Sequence, residues 1–493
     1  MSAAAESAVR RVAIIGGGIS GLAAAHHLQE CDRNSSVTLF EASERLGGVL
    51  QTIRRNGFLI ERSADNFITN VPGAVELCRR LGLENQLQPT TSDRRAFVVR
   101  KGRLYEVPSG FSLMAPAKIW PMLTTPILSP WGKLRMLCEY FIPRRKTNDP
   151  DGTPVKDHSD ESLASFVQRR LGKEVFDRLV QPLIGGIYTA DPEQLSLRAT
   201  MPRFLDMERN HGGLIRGMRK SVSSTADSTS SEKDSSGARY GLFVTLQGGM
   251  SVLVDALAVR IGESNIRLNS PVERMEQLAD GRWRLFVKGE SLPQEFDAVI
   301  LATPAVRAAK LLETFAADLS QELRAIPHAS SAVVCVAYRN NQFSRPLAGF
   351  GLVVPRVERR SILSVSYASL KYSGRAPDGT VLLRVFFGGA MQPEMAAKSD
   401  QELLDLTRQE LGELLGLSGQ PLLHEIVRWR ETMPQFHLGH VGRAQRIIDR
   451  AAKLPNFALC GNAFRGVGIP HCIRSGEKAA EQICHFTAKS VSA

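Results

Sequence analysis

The stretch RVAIIGGGISG, residues 11–21, decides the fold of this chain. It opens with a short apolar run, which is typical of a strand buried on both faces. Gly16, Gly18 and Gly21 then fill a G-x-G-x-x-G frame, and apolar residues recur at helical spacing as far as Cys31. This order of strand, glycine turn and helix predicts a dinucleotide-binding unit. The glycines let a pyrophosphate approach the backbone, and the helix N-terminus faces its charge.

The residues after this unit indicate which dinucleotide is bound. The run VTLF (37–40) predicts a second strand that ends in Glu41, about 20 residues after Gly21, where a carboxylate can bind both ribose hydroxyls. An unphosphorylated ribose, as in NAD or FAD, is therefore predicted. The stretch EASERLGG (41–48) resembles the E-x(3)-R-x-G-G motif of flavoprotein oxidases, in which the arginine, here Arg45, and two backbone amides contact the pyrophosphate. This resemblance favours FAD.

Length and composition set the class of the protein. The chain has 493 residues, enough for two or three domains, and 43% of them are hydrophobic. No run approaches the ~18 apolar residues that span a bilayer, and residues 1–9 lack an apolar signal core. We therefore expect a cytoplasmic protein or one peripheral on the cytosolic face of a membrane.

Charge and ligand-type residues exclude several functions. The 7 cysteines are dispersed, which predicts free thiols, and neither they nor the 10 histidines have metal-ligand spacing, so no metal is expected. The net charge of +12 suits an anionic substrate or an anionic membrane. No nucleic acid partner is expected, because no basic stripe is interleaved with aromatic residues. The sequence leaves open whether the protein forms a homodimer.

Residues 108–145 form an apolar segment punctuated by prolines. They allow two interpretations: short helices within a core, or a monotopic patch with an aromatic and basic rim. Further along, residues 162–183 predict a helix, and the polar residues 221–238 predict a disordered loop. Four strands are predicted at residues 333–338, 351–354, 362–367 and 381–387.

Motifs along nearly the whole chain resemble one family. They are the nucleotide unit, PLIGGIYTADP at 182–192 with LS at 195–196, LQGGM at 246–250, NSPV at 269–272, PQF at 434–436 with GH at 439–440, and the closing segment 461–476. Together they resemble the FAD-dependent amine oxidase superfamily and, within it, the oxygen-dependent porphyrinogen oxidases of haem biosynthesis.

This resemblance implies an α/β fold with three domains. A Rossmann-type FAD-binding domain would be assembled from residues 9–88, 245–304 and 452–486. A mixed-sheet substrate domain would take residues 89–99, 200–244 and 305–451, and residues 100–199 would form a helical domain that can face a membrane. The implied activity is protoporphyrinogen or coproporphyrinogen oxidation, with hydride passing to the flavin and molecular oxygen accepting the electrons.

The resemblance also implies binding residues at the positions that match the family's motifs. No catalytic side chain is assigned, because the flavin supplies the reactivity. The implied FAD contacts are Gly16, Gly18, Ile19, Ser20, Gly21, Glu41, Ala42, Arg45, Gly48, Val49, Val272, Asn462, Val467, Gly468 and Ile469. The implied porphyrinogen contacts are Gly186, Val353, Leu370 and Phe386.

One departure leaves the substrate open. Plant-type members place a propionate-binding arginine on the strand that matches residues 103–108, and by that alignment the position here is Tyr105. The contact would then come from Lys101 or Arg103, or be absent. Protoporphyrinogen, with two propionates, is expected ahead of coproporphyrinogen, with four. Amine or carotenoid oxidation and an inactive flavoprotein scaffold are the remaining alternatives.

Overall fold

The computed structural model describes residues 9–145, 160–224 and 242–490. Its strands are, in chain order, β1 (Arg10–Ile15), β2 (Ser35–Phe40), β3 (Thr52–Arg55), β4 (Phe58–Glu61), β5 (Phe67–Ile68), β6 (Leu87–Pro89), β7 (Ala96–Arg100), β8 (Arg103–Glu106), β9 (Phe111–Ser112), β10 (Ala115–Pro116), β11 (Phe243–Leu246), β12 (Ile266–Arg267), β13 (Val272–Gln277), β14 (Trp283–Val287), β15 (Gln294–Phe296), β16 (Ala298–Leu301), β17 (His328–Arg339), β18 (Gly351–Val353), β19 (Ser364–Tyr367), β20 (Thr380–Gly388), β21 (Leu423–Pro434) and β22 (Phe457–Leu459). Its helices are α1 (Ile19–Cys31), α2 (Gly73–Arg80), α3 (Trp120–Thr124), α4 (Pro130–Leu137), α5 (Leu163–Leu171), α6 (Lys173–Val175), α7 (Gln181–Tyr188), α8 (Leu197–Thr200), α9 (Pro202–His211), α10 (Leu214–Ser224), α11 (Ser251–Ile261), α12 (Ala305–Leu312), α13 (Ala317–Arg324), α14 (Ala368–Lys371), α15 (Pro393–Ala397), α16 (Asp400–Leu415), α17 (His440–Ala451) and α18 (Ile469–Ser490).

A five-stranded parallel sheet carries the dinucleotide motif. Its order is β12-β2-β1-β16-β22, so β1 lies at the centre. Val12 and Ile14 pack into the core that contains α1 and α18, whereas Ala13 and Ile15 pack on the other face with α12 and α13. Both faces of β1 are therefore covered, which is why its sequence is a continuous apolar run. The predicted α/β class with a Rossmann-type domain is confirmed.

A seven-stranded sheet forms the second layer. Its order is β21-β17-β20-β19-β18-β7-β8, antiparallel except for the parallel pair β18 and β7. Helix α16 packs against one face. The opposite face meets two different neighbours: the β3–β4 hairpin lies over one part, and the helices from residue 108 to 214 lie over another. This second face therefore lies where the nucleotide unit and the helices meet.

The helices between residues 120 and 214 share one core with β7 of the seven-stranded sheet. A buried ion pair links two segments of this helical part, between Arg170 of α5 and Glu139, which follows α4. The two residues are 0% and 1% exposed. Arg170 also donates to the carbonyl oxygens of Ile142 (2.9 Å) and Gly212 (2.9 Å). Because an unpaired buried charge is costly, this network fixes the backbone around residues 139–142 and 212–215.

The four strands predicted between residues 333 and 387 are confirmed. The 12-residue strand β21 was missed, because its polar edge sequence LHEIVRWRETMP lacks the apolar content of the other strands. The helix predicted over residues 162–183 is interrupted at Gly172, whose φ of +92° ends α5. The loop predicted at residues 221–238 lies almost wholly outside the described residues, and residues 221–224 end α10.

The division into three domains stays a proposal, and the structure favours two changed boundaries. Strand β8 pairs with β7 in the seven-stranded sheet, so a boundary at residue 100 would cut this hairpin. Met201, Phe204 and Leu214 pack into the helical core and not against α16, so residues 200–224 group with the helices. Among the described helices, none combines the length and apolar character needed to cross a bilayer.

A candidate flavin and substrate site

The glycine turn after β1 has three distinct steric environments. Gly16 has a φ of +111°, and a Cβ there would lie 2.8 Å from the carbonyl oxygen of Ala302. A Cβ on Gly21 would lie 1.9 Å from the carbonyl oxygen of Gly16. A Cβ on Gly18 would meet no atom within 4 Å. The first and third glycines are thus required by the fold, whereas the second borders open space at the N-terminus of α1, where a pyrophosphate would fit.

The carboxylate of Glu41 lies directly beside this turn. Its Oε2 accepts a hydrogen bond from the amide of Gly17 (2.8 Å), and its Oε1 accepts from the amide and hydroxyl of Ser43 (2.8 Å each). The carbonyl oxygen of Glu41 also accepts from the amide of Ser270 (2.9 Å), two residues before Val272. Two of the predicted contacts, Glu41 and Val272, are therefore brought to the same edge of the parallel sheet.

The loop that contains Arg45 packs against the same turn. The amide of Gly47 donates to the carbonyl oxygen of Gly17 (2.8 Å), and a Cβ on Gly48 would lie 3.3 Å from the Cα of Gly18. Arg45 itself donates to the carbonyl oxygens of Leu46, Gly48 and Leu50 at 2.6–3.3 Å. Its guanidinium thus holds the loop in shape, and its predicted contact with the pyrophosphate stays a prediction. Ala42 and Val49 on this loop are exposed.

The C-terminal segment closes the site from the other side. A Cβ on Gly476 of α18 would lie 2.1 Å from the carbonyl oxygen of Ser20, so α18 and α1 touch through their backbones. This contact sets the start of α18, Ile469, next to the glycine-turn unit. Asn462 donates to the carbonyl oxygen of Thr432 in β21 (3.3 Å), and Val467 packs against the helical core. Residues 462–469 therefore contact all three parts of the molecule, and Gly468 among them is exposed.

A neutral histidine that the sequence did not single out as a site residue supports this segment. His440 is buried and stacks on Phe436 with 4.0 Å between ring centroids. Its Nε2 lies 3.2 Å from the carbonyl oxygen of Phe464. Burial lowers the pKa of His440 to about 4, so the ring is uncharged near neutral pH. It can then donate one hydrogen bond to the turn that follows Asn462.

A row of side chains crosses the second face of the seven-stranded sheet. Residues paired across neighbouring strands point to the same face. The pairings give this row, in order, as Tyr105, Val98, Val353, Ser364, Phe386 and Val333. Val353 belongs with the helical core and Phe386 with the core under the β3–β4 hairpin, and both are half-buried. The predicted residues Val353 and Phe386 thus flank one buried serine, and Tyr105 lies on the same face.

Gly186 lies over this row and Leu370 does not. A Cβ on Gly186, in α7, would lie 3.9 Å from the hydroxyl of Ser364, and the glycine is exposed. Leu370 packs against the core on the opposite face of the sheet, together with α16. The structure therefore brings three of the four predicted substrate contacts together and separates Leu370 from them. The cause is that α14 turns the chain away after β19.

A buried charge cluster beside Phe386 was missed. Asp65, in the loop after β4, forms ion pairs with Lys371 (3.2 Å) and Arg384 (3.2 Å), and all three side chains are at most 12% exposed. The guanidinium of Arg384 also lies 5.1 Å from the ring centroid of Phe386. Burial by itself raises the pKa of Asp65, but the two cations outweigh it and hold the pKa at about 2. The cluster therefore carries one carboxylate between two cations.

A second buried ion pair lies close to this cluster. Glu61 forms an ion pair with Arg375 (3.3 Å) and accepts hydrogen bonds from the amide of Met250 (2.8 Å) and the hydroxyl of Thr52 (2.9 Å). Burial raises the pKa of Glu61 in spite of these partners. Sequence patterns could not reveal either pair, because partners such as Asp65 and Lys371 lie 306 residues apart.

Comparison with known proteins shows which family this chain belongs to. A family model described as flavin containing amine oxidoreductase matches residues 19–484. This match covers most of the chain, so the chain belongs to that family. The protein is an FAD-dependent oxidoreductase, and the open space at Gly18, the N-terminus of α1 and the carboxylate of Glu41 fit the phosphates and ribose of FAD.

Individual relatives show which members of this family the chain resembles. The chain is 30% identical to coproporphyrinogen III oxidase of Bacillus subtilis, over 95% of this chain and 97% of the relative. It is 31% identical to protoporphyrinogen oxidase of Homo sapiens, over 96% and 98%. A solved structure from Exiguobacterium, described as a candidate protoporphyrinogen oxidase, superposes with a TM-score of 0.84 at 29% identity, covering 97% of this chain and 99% of that one.

The glycine turn gives a first prediction. Gly18→Ala adds a methyl group to open space at an ordinary φ of −71°, so the apoprotein should fold with an unchanged melting temperature. The methyl group should nevertheless weaken FAD binding by about tenfold or more, because it occupies space beside the pyrophosphate. Gly21→Ala is the contrasting variant, and it should destabilise the apoprotein itself. Flavin occupancy after dialysis and apoprotein melting measure the two effects. Full occupancy of Gly18→Ala at dilute FAD would contradict this role.

The buried cluster gives a second prediction. Asp65→Asn leaves Lys371 and Arg384 buried without their carboxylate, which should cost about 3 kcal/mol of stability near neutral pH. Because the folded pKa is about 2 and the ordinary value is 3.8, this contribution is present above about pH 4 and lost as the pH falls towards 2.

Denaturant unfolding of the holoprotein measures this difference across pH. The exposed pair of Asp280 and Arg282 provides the matched control, since Asp280→Asn should change little. A gap between wild type and Asp65→Asn that stays constant down to about pH 2.5, between the ordinary and the folded pKa values, would contradict the assignment.

Proposed function

We propose that the protein oxidises a porphyrinogen to the corresponding porphyrin in haem biosynthesis. The observation that carries the proposal is the row on the sheet face, where Ser364 is flanked by Val353 and Phe386 and lies under Gly186. Relatives at 30% and 31% identity, with nearly complete coverage, are named for porphyrinogen oxidation. An apolar surface with few polar groups suits a large and mainly apolar macrocycle.

The reaction removes six hydrogen atoms from the macrocycle in three two-electron steps. The bound flavin supplies a hydride acceptor, and three molecules of oxygen would take up the electrons and become three of hydrogen peroxide. The chain's own part is to orient the macrocycle and exclude water. Phe386 and Val353 provide apolar contact area, and the exposed backbone of Gly186 leaves a carbonyl that can accept hydrogen bonds from pyrrole N–H groups.

The number of propionates on the substrate stays open between two and four. The bacterial relative acts on coproporphyrinogen by its name and the human one on protoporphyrinogen, at nearly equal identity. Tyr105, at the end of the row, can donate one neutral hydrogen bond but no charge. Arg103, two residues away on the same strand, is exposed, as is Lys101 in the preceding turn. A site of this kind, with cations at its rim, suits propionates that keep part of their hydration, so we infer that both substrates turn over.

We also propose a peripheral membrane contact through the segment 108–145, on the cytosolic face. Met122, Met136 and their neighbours fill the helical core, so part of the segment does form core helices. Trp120, Trp131 and Phe141 are 74%, 79% and 87% exposed. Three large aromatic side chains exposed on one segment exceed the scattered exposure normal for a soluble surface. They are the residue types that enter a membrane interface.

The substrate proposal is tested with purified holoprotein. Porphyrin fluorescence should rise above autoxidation with both porphyrinogens, and their kcat/KM values should agree within ~100-fold, about 2.7 kcal/mol of discrimination. No rise with either substrate would refute the proposal, and a larger ratio would refute the inference that both turn over.

A matched pair of variants locates the substrate. Phe386→Ala removes apolar contact area and should lower kcat/KM by about ten- to a hundredfold, since burying an aromatic side chain contributes about 1.5–3 kcal/mol. Phe286→Ala, in β14 of the small sheet of β13–β15, is the control and should leave kcat/KM unchanged. Equal effects of the two variants would place the macrocycle elsewhere.

Membrane contact has its own test. Vesicles that contain phosphatidylglycerol should retain the wild-type protein at low salt and release it as salt rises. Trp131→Ser combined with Phe141→Ser should abolish this retention. The control pair, Val259→Ser with Leu292→Ser, changes residues that are 79% and 77% exposed and should have no effect. A wild-type protein that ignores such vesicles at low salt would refute the contact.

A further inference from the structure

Two arginine side chains converge on one point above Gly212, in the turn between α9 and α10. A Cβ placed on Gly212 would lie 3.5 Å from Nε of Arg144 and 3.6 Å from Nη1 of Arg216. Gly212 has a φ of +79° and no side chain, so this point is open. Two guanidinium groups that approach the same point repel one another unless an anion lies between them.

Further donors line the same cavity, which measures about 540 Å³. Its lining among the described residues is Tyr140, Arg144, Asn210, His211, Arg216, Arg219 and Lys220, and none of these carries a carboxylate. Nδ1 of His211 is buried and has no hydrogen-bond partner among the described residues. The cavity thus presents cationic and neutral donors to whatever enters it.

The nearby carboxylates are engaged elsewhere. Glu208 forms ion pairs with Arg169 (2.7 Å) and Arg170 (3.5 Å), and Asp206 pairs with Arg209. Within the described ranges, neither Arg144 nor Arg216 forms an ion pair with an acidic side chain. The positive charge at Gly212 is therefore not neutralised by the described part of the chain.

The arginines are also held in place. Arg216 donates to the carbonyl oxygen of Tyr140 (3.2 Å) and lies 5.6 Å from its ring centroid. Arg219 donates to the hydroxyl of Tyr140 (3.2 Å), and Arg144 donates to the carbonyl oxygen of Arg209 (2.9 Å). These partners use some of the N–H groups and leave others for a ligand, since each guanidinium has five.

The backbone on both sides of the cavity is fixed by the buried Arg170–Glu139 pair. Glu139 precedes Tyr140 and accepts from the amide of Leu214 (2.7 Å), while Arg170 donates to the carbonyl oxygen of Gly212. The cavity is thus preformed, and a ligand pays little to order it.

We propose that this cavity binds a phosphate group. Guanidinium groups in a fixed arrangement match the tetrahedral oxygens of phosphate through paired, charge-assisted hydrogen bonds. The phosphate belongs either to a free anion or to the headgroup of an anionic lipid, and the exposed Phe141 adjoins Tyr140 in the chain. The proposal is independent of the porphyrinogen chemistry and refines the membrane contact.

The test uses the holoprotein and two probes. Inorganic phosphate is titrated calorimetrically at low ionic strength, and vesicles of phosphatidylcholine with and without phosphatidic acid are used in sedimentation. Arg144→Gln combined with Arg216→Gln should weaken binding by about tenfold or more, because two charge-assisted contacts are lost. Arg209→Gln, in the neighbouring helix α9, is the control, since its side chain pairs with Asp206 and does not line the cavity.

The outcomes separate the two sources of phosphate. Arginine-dependent binding of inorganic phosphate but not of phosphatidic acid vesicles identifies a free anion, and arginine-dependent binding of both identifies a headgroup. Binding of neither probe, or equal binding by the double variant and wild type with flavin content and melting temperature retained, would overturn the proposal. A failure of porphyrinogen oxidation leaves this result unaffected, so the two proposals fail separately.

Discussion

Close contact between backbones, possible only where a side chain is absent, determines how the rest of this molecule is arranged. Gly21 packs against the carbonyl oxygen of Gly16, and Gly476 packs against that of Ser20. The first contact seats α1 on the parallel sheet, and the second holds the C-terminal helix against α1. Since residues 462–469 come directly before that helix, their position follows from a contact made within the nucleotide unit. The two ends of the chain, which carry most of the residues proposed to contact the flavin, are therefore held together by these backbone contacts.

The seven-stranded sheet is joined to this unit by charge and not by apolar packing alone. Glu61 and Asp65 come from β4 and the loop after it, whereas Arg384 comes from β20 and Lys371 and Arg375 come from the connection between β19 and β20. Buried ion pairs contribute less to stability than well-packed apolar groups, but they are strongly directional, and losing one partner is costly. They define how the sheet, and Phe386 with it, is set relative to the glycine turn.

The sequence predicted the parts of this arrangement that depend on local pattern. Gly16, Gly18 and Gly21 are separated by few residues, and their spacing between an apolar run and a helical pattern predicts the turn that the structure contains. Val353 and Phe386 were placed by resemblance, and strand pairing puts them in one row. Leu370 was placed in the same way, but the turn into α14 points it to the other face, which no local pattern encodes. The ion pairs of Asp65 were missed because their partners are distant in sequence, and the edge strand β21 was missed because its sequence is polar.

The net charge of +12 predicts an anionic partner but does not say where it binds. Many arginines here are matched by nearby carboxylates: Arg169 by Glu161 and Glu208, and Arg446 by Glu322. Such pairs produce little field at a distance, because opposite charges in contact cancel. An anion is attracted where cations converge without a carboxylate, and among the described residues Arg144 and Arg216 do so above Gly212. The buried Arg170–Glu139 pair fixes the backbone that carries these two arginines. Their position therefore matters more for anion binding than the net charge of the chain.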